Sequence, residues 1–522
     1  MSGQAVKLGP FIGGINTASD PSAVADNELV DAVNFELDLD GSLVCRPPIV
    51  ETVNNFLSWT ERIVFIGSAT LGGVNYVIGS NSDGTWAFDG TTWTLIRVNL
   101  HASIALQFQD LLFVVAQPGS VNNGGFWDGA VWTTDANMPK GESAVFHKAR
   151  LFIAPGLLQG GAAAHQLKYT DPIPIAAPTP LVWGVANVIS VGQGDGQNLV
   201  EVIIYNDNLL LFKRDSTYVF AYDVQPIDAV LRKVNSKIGV TYRHCVVQYE
   251  NSVFIYHEAN IYEVINYDFQ RVNFKVPFAL DTSAPSTRAE LVFLSLLGDR
   301  LIVRYFNSIY AYGLKTKTWT RWDSASVDLR NFGPLVAMPK TTIVGTPDLY
   351  YAGSSLLSVR KDFVIADGYD ASTFEKNLAG TPFDIVCTVL TKNYDLSDTM
   401  HYKRLFWWGI DVVSMRDVVA IANPINAVNT VRWSQLAGMT WGSLAAVTWG
   451  SPLSSVISVE TDVVDTSTIG RKFIKLLNSM RWRQINFRVT LLCNGTTAQG
   501  PARLFSLTAI VGLKQTVVKQ VS

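Results

Sequence analysis

Residues 202–223 read VIIYNDNLLLFKRDSTYVFAYD: two apolar segments around a polar turn, then a third segment rich in Tyr and Phe. Val, Ile, Tyr and Phe are enriched in strands, and Asn, Asp and Gly suit the tight turns that join antiparallel strands. The first two segments therefore predict a β-hairpin, and the third predicts another strand. The same order of apolar strand, polar turn and apolar strand recurs at 105–116, 144–155, 246–257 and 292–305.

These hairpins recur with a long period. Their second strands begin near Leu111, Leu151, Leu209, Val253 and Leu301, at intervals of 40, 58, 44 and 48 residues. A four-stranded unit every 40 to 50 residues is typical of a β-propeller blade, because one small sheet cannot bury both faces until its neighbours cover them. Two stacked β-sandwiches are the competing interpretation, since their strands also follow one another closely. The long period favours the propeller, with six or seven blades.

The sequence predicts three regions in an all-β chain. Residues 1–54 form an N-terminal arm and a hairpin that turns at Asp40-Gly41, and residues 55–375 form the β-propeller. Residues 376–522 lose the repeat but keep long apolar segments. They predict an additional C-terminal β-sandwich-like region, or strands that complete and cap the ring.

Composition narrows the classes of function. The 522 residues include 41 Lys or Arg and 44 Asp or Glu, giving a net charge of −3. This balance argues against a protein that binds nucleic acid through its overall charge. Charged residues are 16% of the chain, against about 25% in an average soluble domain. So few charges indicate a surface that contacts other proteins. We also expect neither a membrane-spanning segment nor a secretory signal.

No chemical motif predicts an enzyme, a cofactor or a metal site. The cysteines have no CxxC spacing, so four buried thiols are expected at Cys45, Cys245, Cys387 and Cys493. The six histidines show no HxH or HExxH grouping. GQGDG at 192–196 superficially resembles a phosphate loop, but a strand follows it instead of a helix, so we predict a turn.

Two segments contain candidate partner contacts. Trp433, Trp441 and Trp449 are spaced by eight residues, and Trp-Gly-Ser occurs twice among them. Such aromatics could anchor a partner or stack on sugars, or they could pack successive hairpins. Arg481 and Arg483 belong to a basic run at 471–488 that also contains aromatic residues. This run could touch nucleic acid, although a basic edge strand protected by its charge is the simpler interpretation.

Two long stretches of the sequence together carry a resemblance to a known family. The first is FIGGINTASDPSAVADNELVDAVNFELDLDGSLVCRPP at 11–48, with Gly13–Asn16, Asp20-Pro21 and Arg46-Pro47. The second begins at LKYTDPIP (167–174), continues through the Gly-Asp-Gly turn and the strand ending in Phe-Lys, and reaches SKIGV (236–240). These stretches resemble tail proteins of tailed bacteriophages, in particular the propeller-bearing nozzle or tail-hub proteins of short-tailed phages. The resemblance covers most of residues 10–325 and is weaker beyond.

The resemblance implies a structural virion protein, assembled in the host cytoplasm. It would be a subunit of a cyclic homo-oligomer, a hexamer, beneath the portal and adaptor proteins. This ring would form the channel for DNA ejection, pass double-stranded DNA without sequence-specific binding, and dock tail fibre or spike proteins. One alternative is a minor tail or tip protein of a long-tailed phage involved in host adsorption. Another is a carbohydrate-binding propeller.

Overall fold

The protein consists of strands throughout the part of the chain that the structure describes. The computed structural model describes residues 4–52, 65–81, 83–90, 92–157, 159–174, 181–278, 292–305, 308–324, 332–337, 348–354, 362–367, 375–376, 382–383, 385–394, 403–413, 418–425, 460–462, 472–477, 481–482, 484–493 and 503–513. Within these ranges the helices are three short 3-10 turns: Gly161–His165, Pro226–Asp228 and Arg243–Cys245. The prediction of an all-β chain is confirmed.

The N-terminal segment contributes five strands. Numbered in chain order, they are β1 (Gln4–Leu8), β2 (Leu29–Val33), β3 (Phe35–Leu37), β4 (Leu43–Cys45) and β5 (Ile49–Thr52). The hairpin predicted at Asp40-Gly41 joins β3 to β4, and Gly41 has a φ of 81°.

Seven antiparallel four-stranded blades follow in the described residues, five as separate sheets and two as parts of larger sheets. Blade 1 comprises β6 (Phe65–Leu71), β7 (Val74–Ser80), β8 (Gly84–Phe88) and β9 (Trp93–Val98). Blade 2 comprises β10 (Ala102–Phe108), β11 (Leu111–Ala116), β12 (Gly125–Trp127) and β13 (Trp132–Thr134). Blade 3 comprises β14 (Ser143–His147), β15 (Arg150–Ala154), β16 (Gln166–Tyr169) and β17 (Val188–Ser190). Blade 4 comprises β18 (Leu199–Tyr205), β19 (Asn208–Lys213), β20 (Thr217–Ala221) and β21 (Val230–Asn235).

The last three blades repeat this order, except that blade 7 takes one strand from the N-terminal segment. Blade 5 comprises β22 (Val246–Tyr249), β23 (Ser252–His257), β24 (Asn260–Ile265) and β25 (Asp268–Arg271). Blade 6 comprises β26 (Val292–Leu297), β27 (Arg300–Tyr305), β28 (Ser308–Gly313) and β29 (Thr318–Trp322). Blade 7 comprises β30 (Phe332–Ala337), β31 (Asp348–Ser354), β32 (Asp362–Asp367) and β5.

The seven sheets close into a ring. The first strand of each blade is innermost: β6 contacts β10, β10 contacts β14, β14 contacts β18, β22 contacts β26, β26 contacts β30, and β30 contacts β6. Blades 4 and 5 share an apolar core that includes Leu210 and Val253. β5 completes blade 7 by pairing antiparallel with β32, from Ile49 opposite Ile365 to Thr52 opposite Asp362. The propeller prediction is therefore confirmed, with seven blades.

Two-residue turns join many of the paired strands. In blade 4 the turn is Asn206-Asp207, with φ values of 49° and 57°, as the polar residues in 202–213 predict. In blade 3 the equivalent turn is Lys148-Ala149, with φ values of 47° and 58°. Lys and Ala have little intrinsic preference for this region of backbone space. The pairing of the flanking strands therefore imposes the turn there.

Both ends of the chain build a β-sandwich. The short strands β33 (Glu375–Lys376) and β34 (Pro382–Phe383) lie at the edge of blade 7. The remaining strands of the sandwich are β35 (Ile385–Thr391), β36 (Lys403–Val413), β37 (Val418–Ile425), β38 (Glu460–Asp462), β39 (Lys472–Leu477), β40 (Arg481–Trp482), β41 (Gln484–Cys493) and β42 (Arg503–Leu513). One sheet runs β3-β4-β42-β36-β39, and the other runs β2-β35-β41-β37-β38. Residues from both chain ends, such as Phe35 and Val489, share the core between the sheets.

The sandwich is continuous with blade 6. β2 pairs in parallel with β29 at Val33 and Arg321, so one nine-stranded sheet runs from β26 to β38. Beside this pairing the buried Asn34 has a φ of 61°, and its Oδ1 accepts hydrogen bonds from Arg46 Nε (2.8 Å) and the Asp323 amide (2.7 Å). Its Nδ2 donates to the Val386 carbonyl at 2.8 Å. Asn34 thus joins the arm, blade 6 and the sandwich.

Candidate functional site

A polar cleft of about 490 Å³ lies where blade 6 meets the sandwich. Three ion pairs line it. Arg300 Nε lies 2.6 Å from Glu36 Oε2, Lys315 Nζ lies 2.5 Å from Asp299 Oδ2, and Arg503 Nη1 lies 3.0 Å from Asp38 Oδ2. Blade 6 also contributes the threonines Thr316, Thr318 and Thr320. Clefts between modules are common binding sites, and this one offers charges of both signs beside hydroxyl groups.

Glu36 is the most perturbed acid in this cleft. Burial raises the pKa of Glu36, and the charge of Arg300 opposes this effect. Its Oε1 is buried and has no hydrogen-bond partner among the described residues. One oxygen of the Glu36 carboxyl is therefore buried without a donor from the described residues, while the other pairs with Arg300.

A second charged cluster crosses the axis of the propeller. Arg243 lies just before the inner strand of blade 5, and its guanidinium carbon is 5.8 Å from the centroid of the Phe65 ring in blade 1. Its Nη1 donates to the carbonyl oxygen of Glu142, at the start of blade 3, at 3.2 Å. Blades 1, 3 and 5 are not neighbours, so a side chain that touches all three must lie across the axial path. Arg243 therefore lies across the axis of the propeller.

Glu201, on the inner strand of blade 4, belongs to the same cluster. Burial raises the pKa of Glu201 to about 8, while a hydrogen bond from Ser143 Oγ and the charge of Arg243 act in the opposite direction. Burial also lowers the pKa of Arg243 to about 10, with Glu142 and Glu201 opposing. Burial therefore favours the protonated form of Glu201 beside Arg243.

Among the residues that the structure describes, a group suited to a divalent cation lies where blade 4 meets blade 5. Asp215, His257 and Glu258 each offer a ligand atom, and these atoms lie within 4.8 Å of one another. Burial lowers the pKa of His257, so its ring is neutral at pH 7 and can act as a ligand. One imidazole and two carboxylates suit zinc or manganese. A search for HxH spacing misses this set because Asp215 belongs to the neighbouring blade.

The GQGDG loop is a turn that covers a buried lysine. Gly192, Gly194 and Gly196 have φ values of 56°, 90° and 70°. Lys213 is fully buried, and its Nζ donates to the carbonyl of Gly192 at 3.0 Å and to Asp195 Oδ1 at 2.6 Å. The prediction of a turn is confirmed, and the loop's own acid neutralises the lysine.

The partner-contact residues predicted from the sequence stay predictions. Trp433, Trp441, Trp449 and Arg483 lie outside the described residues. Arg481 is in β40, opposite Arg404 of β36. The axial cluster was missed because its members come from different blades. One sequence signal points to this cluster: an acidic residue, Glu201, stands within the otherwise apolar strand LVEVIIY at 199–205.

Comparison with known proteins gives no family. No protein-family model and no curated protein matches this chain. Among solved structures, the extracellular domain of the hybrid two component system BT4673 from B. thetaiotaomicron is 9% identical, with a TM-score of 0.43 over 69% of this chain and 42% of that chain. The Pan2 WD40 domain of Neurospora crassa is 8% identical, with a TM-score of 0.37 over 59% of this chain and 89% of that domain. The fold assignment rests on the strand pairing described above.

The described residues contain no helix of the length and apolar character needed to cross a bilayer.

Proposed function

We propose that this protein is a structural subunit of a phage tail nozzle or hub ring, located in the virion. In this role several copies surround a common axis below the portal and adaptor, and DNA passes through the channel that they form together. The sequence resemblance over residues 10–325 suggests this role. The observation that carries it in the fold is the position of Arg243 across the propeller's own axis. A conduit for DNA would have to lie between subunits.

The segments that carry the resemblance also hold the modules together, which supports a shared architecture. In the Gly-Gly-Ile-Asn motif, the amide of Ile15 donates to the carbonyl of Trp319 in blade 6 at 3.1 Å. In the Arg-Pro motif, Arg46 is fully buried and its Nη2 donates to the carbonyl of Asp323 at 2.9 Å. The arm therefore ties the propeller to the sandwich, as a rigid scaffold requires.

Assembly tests this proposal directly. The full chain is expressed alone and together with the portal and adaptor proteins encoded in the same genome, and each sample is examined by native mass spectrometry and electron microscopy. We expect a closed ring of six subunits that joins the portal–adaptor complex. A chain that stays monomeric in both samples contradicts the proposal. A complex in which the protein sits at the distal tip supports the alternative of an adsorption protein.

The tryptophan segment gives a second test. If Trp433, Trp441 and Trp449 contact a partner, replacing all three by alanine should weaken fibre or spike binding at least tenfold and leave the melting temperature of the chain unchanged. Affinity is measured by surface plasmon resonance and melting by calorimetry. A lower melting temperature with normal binding would instead show that these residues pack successive hairpins.

A carbohydrate-binding function remains the second candidate because the cleft at blade 6 combines carboxylates with threonine hydroxyls, groups that hydrogen-bond to sugars. A glycan array with the wild-type chain tests this function. Any glycan that binds is then measured against the Glu36→Gln variant. Loss of that binding in the variant would place the sugar in the cleft, and an array without signal removes this candidate.

A further inference from the structure

Two cysteines far apart in the sequence meet in the sandwich core. Cys45 is the last residue of β4, and Cys387 lies in β35, in the opposite sheet. They are 342 positions apart, and their Sγ atoms are 3.2 Å from each other. Sequence spacing gave no reason to pair them.

We propose that Cys45 and Cys387 are an oxidation site, at which peroxide forms a disulfide between the two sheets of the sandwich. A disulfide bond is about 2.0 Å long, so the two sulfurs must approach each other by roughly 1 Å for the bond to form. Inter-sheet disulfides across a sandwich core are an established arrangement in the immunoglobulin fold. The two sheets already face each other here with the sulfurs in contact.

Cys45 has a route to solvent. It is 3% exposed and belongs to the wall of the cleft between blade 6 and the sandwich, which is large enough to admit peroxide. Cys387 is 0% exposed and lies behind it. Cys245 gives the contrast: it is 0% exposed in the core of blades 4 and 5, and burial raises the pKa of its thiol to about 12. A thiol is the less reactive form, so Cys245 should resist oxidation.

The chemistry balances with hydrogen peroxide as the oxidant. The Cys45 thiolate attacks one oxygen of peroxide, the O–O bond breaks, and the products are a sulfenic acid and hydroxide. The Cys387 thiolate then attacks the Cys45 sulfur, the S–O bond breaks, and a second hydroxide leaves. The two thiol protons neutralise the two hydroxides. In sum, two thiols and one peroxide give one disulfide and two waters.

The cross-link would tie the N-terminal arm to the C-terminal strands, with the whole propeller in the intervening loop. Cross-linking such distant positions restricts the unfolded chain, and this stabilises the folded state. The oxidised protein should therefore melt at a higher temperature than the reduced protein.

The first experiment uses the unmodified full chain. Protein is treated with hydrogen peroxide or with dithiothreitol, quenched, denatured and alkylated, and then digested without reduction for mass spectrometry. The reduced chain should alkylate at all four cysteines, and the oxidised chain at two, with one linked peptide pair containing Cys45 and Cys387. Four alkylated cysteines after peroxide, a link to a different cysteine, or sulfonic acid without a link would each overturn the proposal.

Matched variants complete the test. Cys245→Ala should keep both the linked peptides and the rise in melting temperature on oxidation. Cys45→Ala and Cys387→Ala should lose both effects, even if the substitutions lower the melting temperature of the reduced protein. An equal rise in all three variants would show that oxidation stabilises the protein by another route. None of these outcomes depends on whether the protein forms a ring.

Discussion

Gly14 shows how a single residue seats the arm on the propeller. Its φ is +67°, and a Cβ at this position would lie 2.7 Å from Thr318 Cβ in blade 6. The close approach lets the neighbouring Ile15 enter the apolar core shared by blades 5 and 6. The glycine at position 14 is therefore explained by packing as well as by backbone conformation.

We predict that Gly14→Ala destabilises the protein more than Gly72→Ala. Gly72 has a φ of +55°, and a Cβ at this position would meet no atom within 4 Å. Gly72→Ala should therefore be destabilised only by the cost of placing alanine in the left-handed region, about 1–2 kcal/mol. Gly14→Ala adds a steric overlap that costs about 1–3 kcal/mol more. Urea denaturation of both variants measures the difference. An equal loss of unfolding free energy in the two variants would mean that the arm accommodates the added methyl group at position 14 without steric strain.

Glu201 predicts a pH dependence of stability. Its folded pKa of about 8 lies above the usual value of 4.5, so the folded state holds the proton over a range in which the unfolded state has lost it. Stability should therefore fall as the pH rises from 4.5 to 8, and then level off. In Glu201→Gln this contribution is absent.

Urea midpoints of wild type and Glu201→Gln at pH 4.5, 6, 7 and 8.5 test this prediction. The urea midpoint of Glu201→Gln should increase relative to that of the wild type as the pH rises. Parallel profiles would show that Glu201 ionises normally in the folded protein.

At the scale of elements, local sequence predicted the hairpins but not the partner of the closing strand. Within a blade, consecutive strands pair because a short turn brings them together. β5 pairs with β32, more than 300 residues later, and nothing in its four residues specifies that contact. The position of β5 follows from the closed ring, because β32 would otherwise leave its outer edge in blade 7 without a paired strand.

We predict that Val50→Pro weakens the closure of the ring. β5 lies between β32 and β33, so the Val50 amide points towards a paired strand whichever side it faces, and proline removes that donor. The expected loss is about 1–3 kcal/mol. Hydrogen exchange should become faster in β32 and in the inner strands β30 and β6. Val50→Ala, which keeps the amide, is the control, and unchanged exchange in the proline variant would contradict a closing role for β5.

At the scale of the whole molecule, propeller and sandwich are joined by a continuous sheet and by a buried polar junction. The nine-stranded sheet passes from blade 6 into the sandwich, and Asn34 hydrogen-bonds to groups on both sides. Separating the modules would leave these buried groups without partners, which is costly. The two modules should therefore unfold together.

Cysteine labelling in urea, under reducing conditions, measures this cooperativity. Cys245 reports on the propeller and Cys387 on the sandwich, since both are fully buried in the folded protein. Both should become reactive at the same urea concentration. Two separate midpoints would show that the modules unfold independently.

Much of the fold could be predicted from local sequence patterns, whereas the side-chain clusters formed between different blades could not. The alternation of apolar segments and turns in 202–223 already indicates a blade, because strand and turn preferences act within a few residues. Arg243, Glu142 and Glu201 meet across a ring, and no periodicity links their positions. The turn at Lys148-Ala149 shows the limit of local preference, since the pairing of its strands overrides residue type.

The amino-acid order alone was enough to establish an all-β chain with a long repeat, because each strand and each tight turn depends on its immediate neighbours. The tertiary structure decided the count of seven blades, the closure by β5, and the joining of both chain ends in one sandwich. It also placed Arg243 on the axis and Cys45 beside Cys387. These contacts span up to several hundred residues, and burial of apolar surface selects them only when the whole chain is folded.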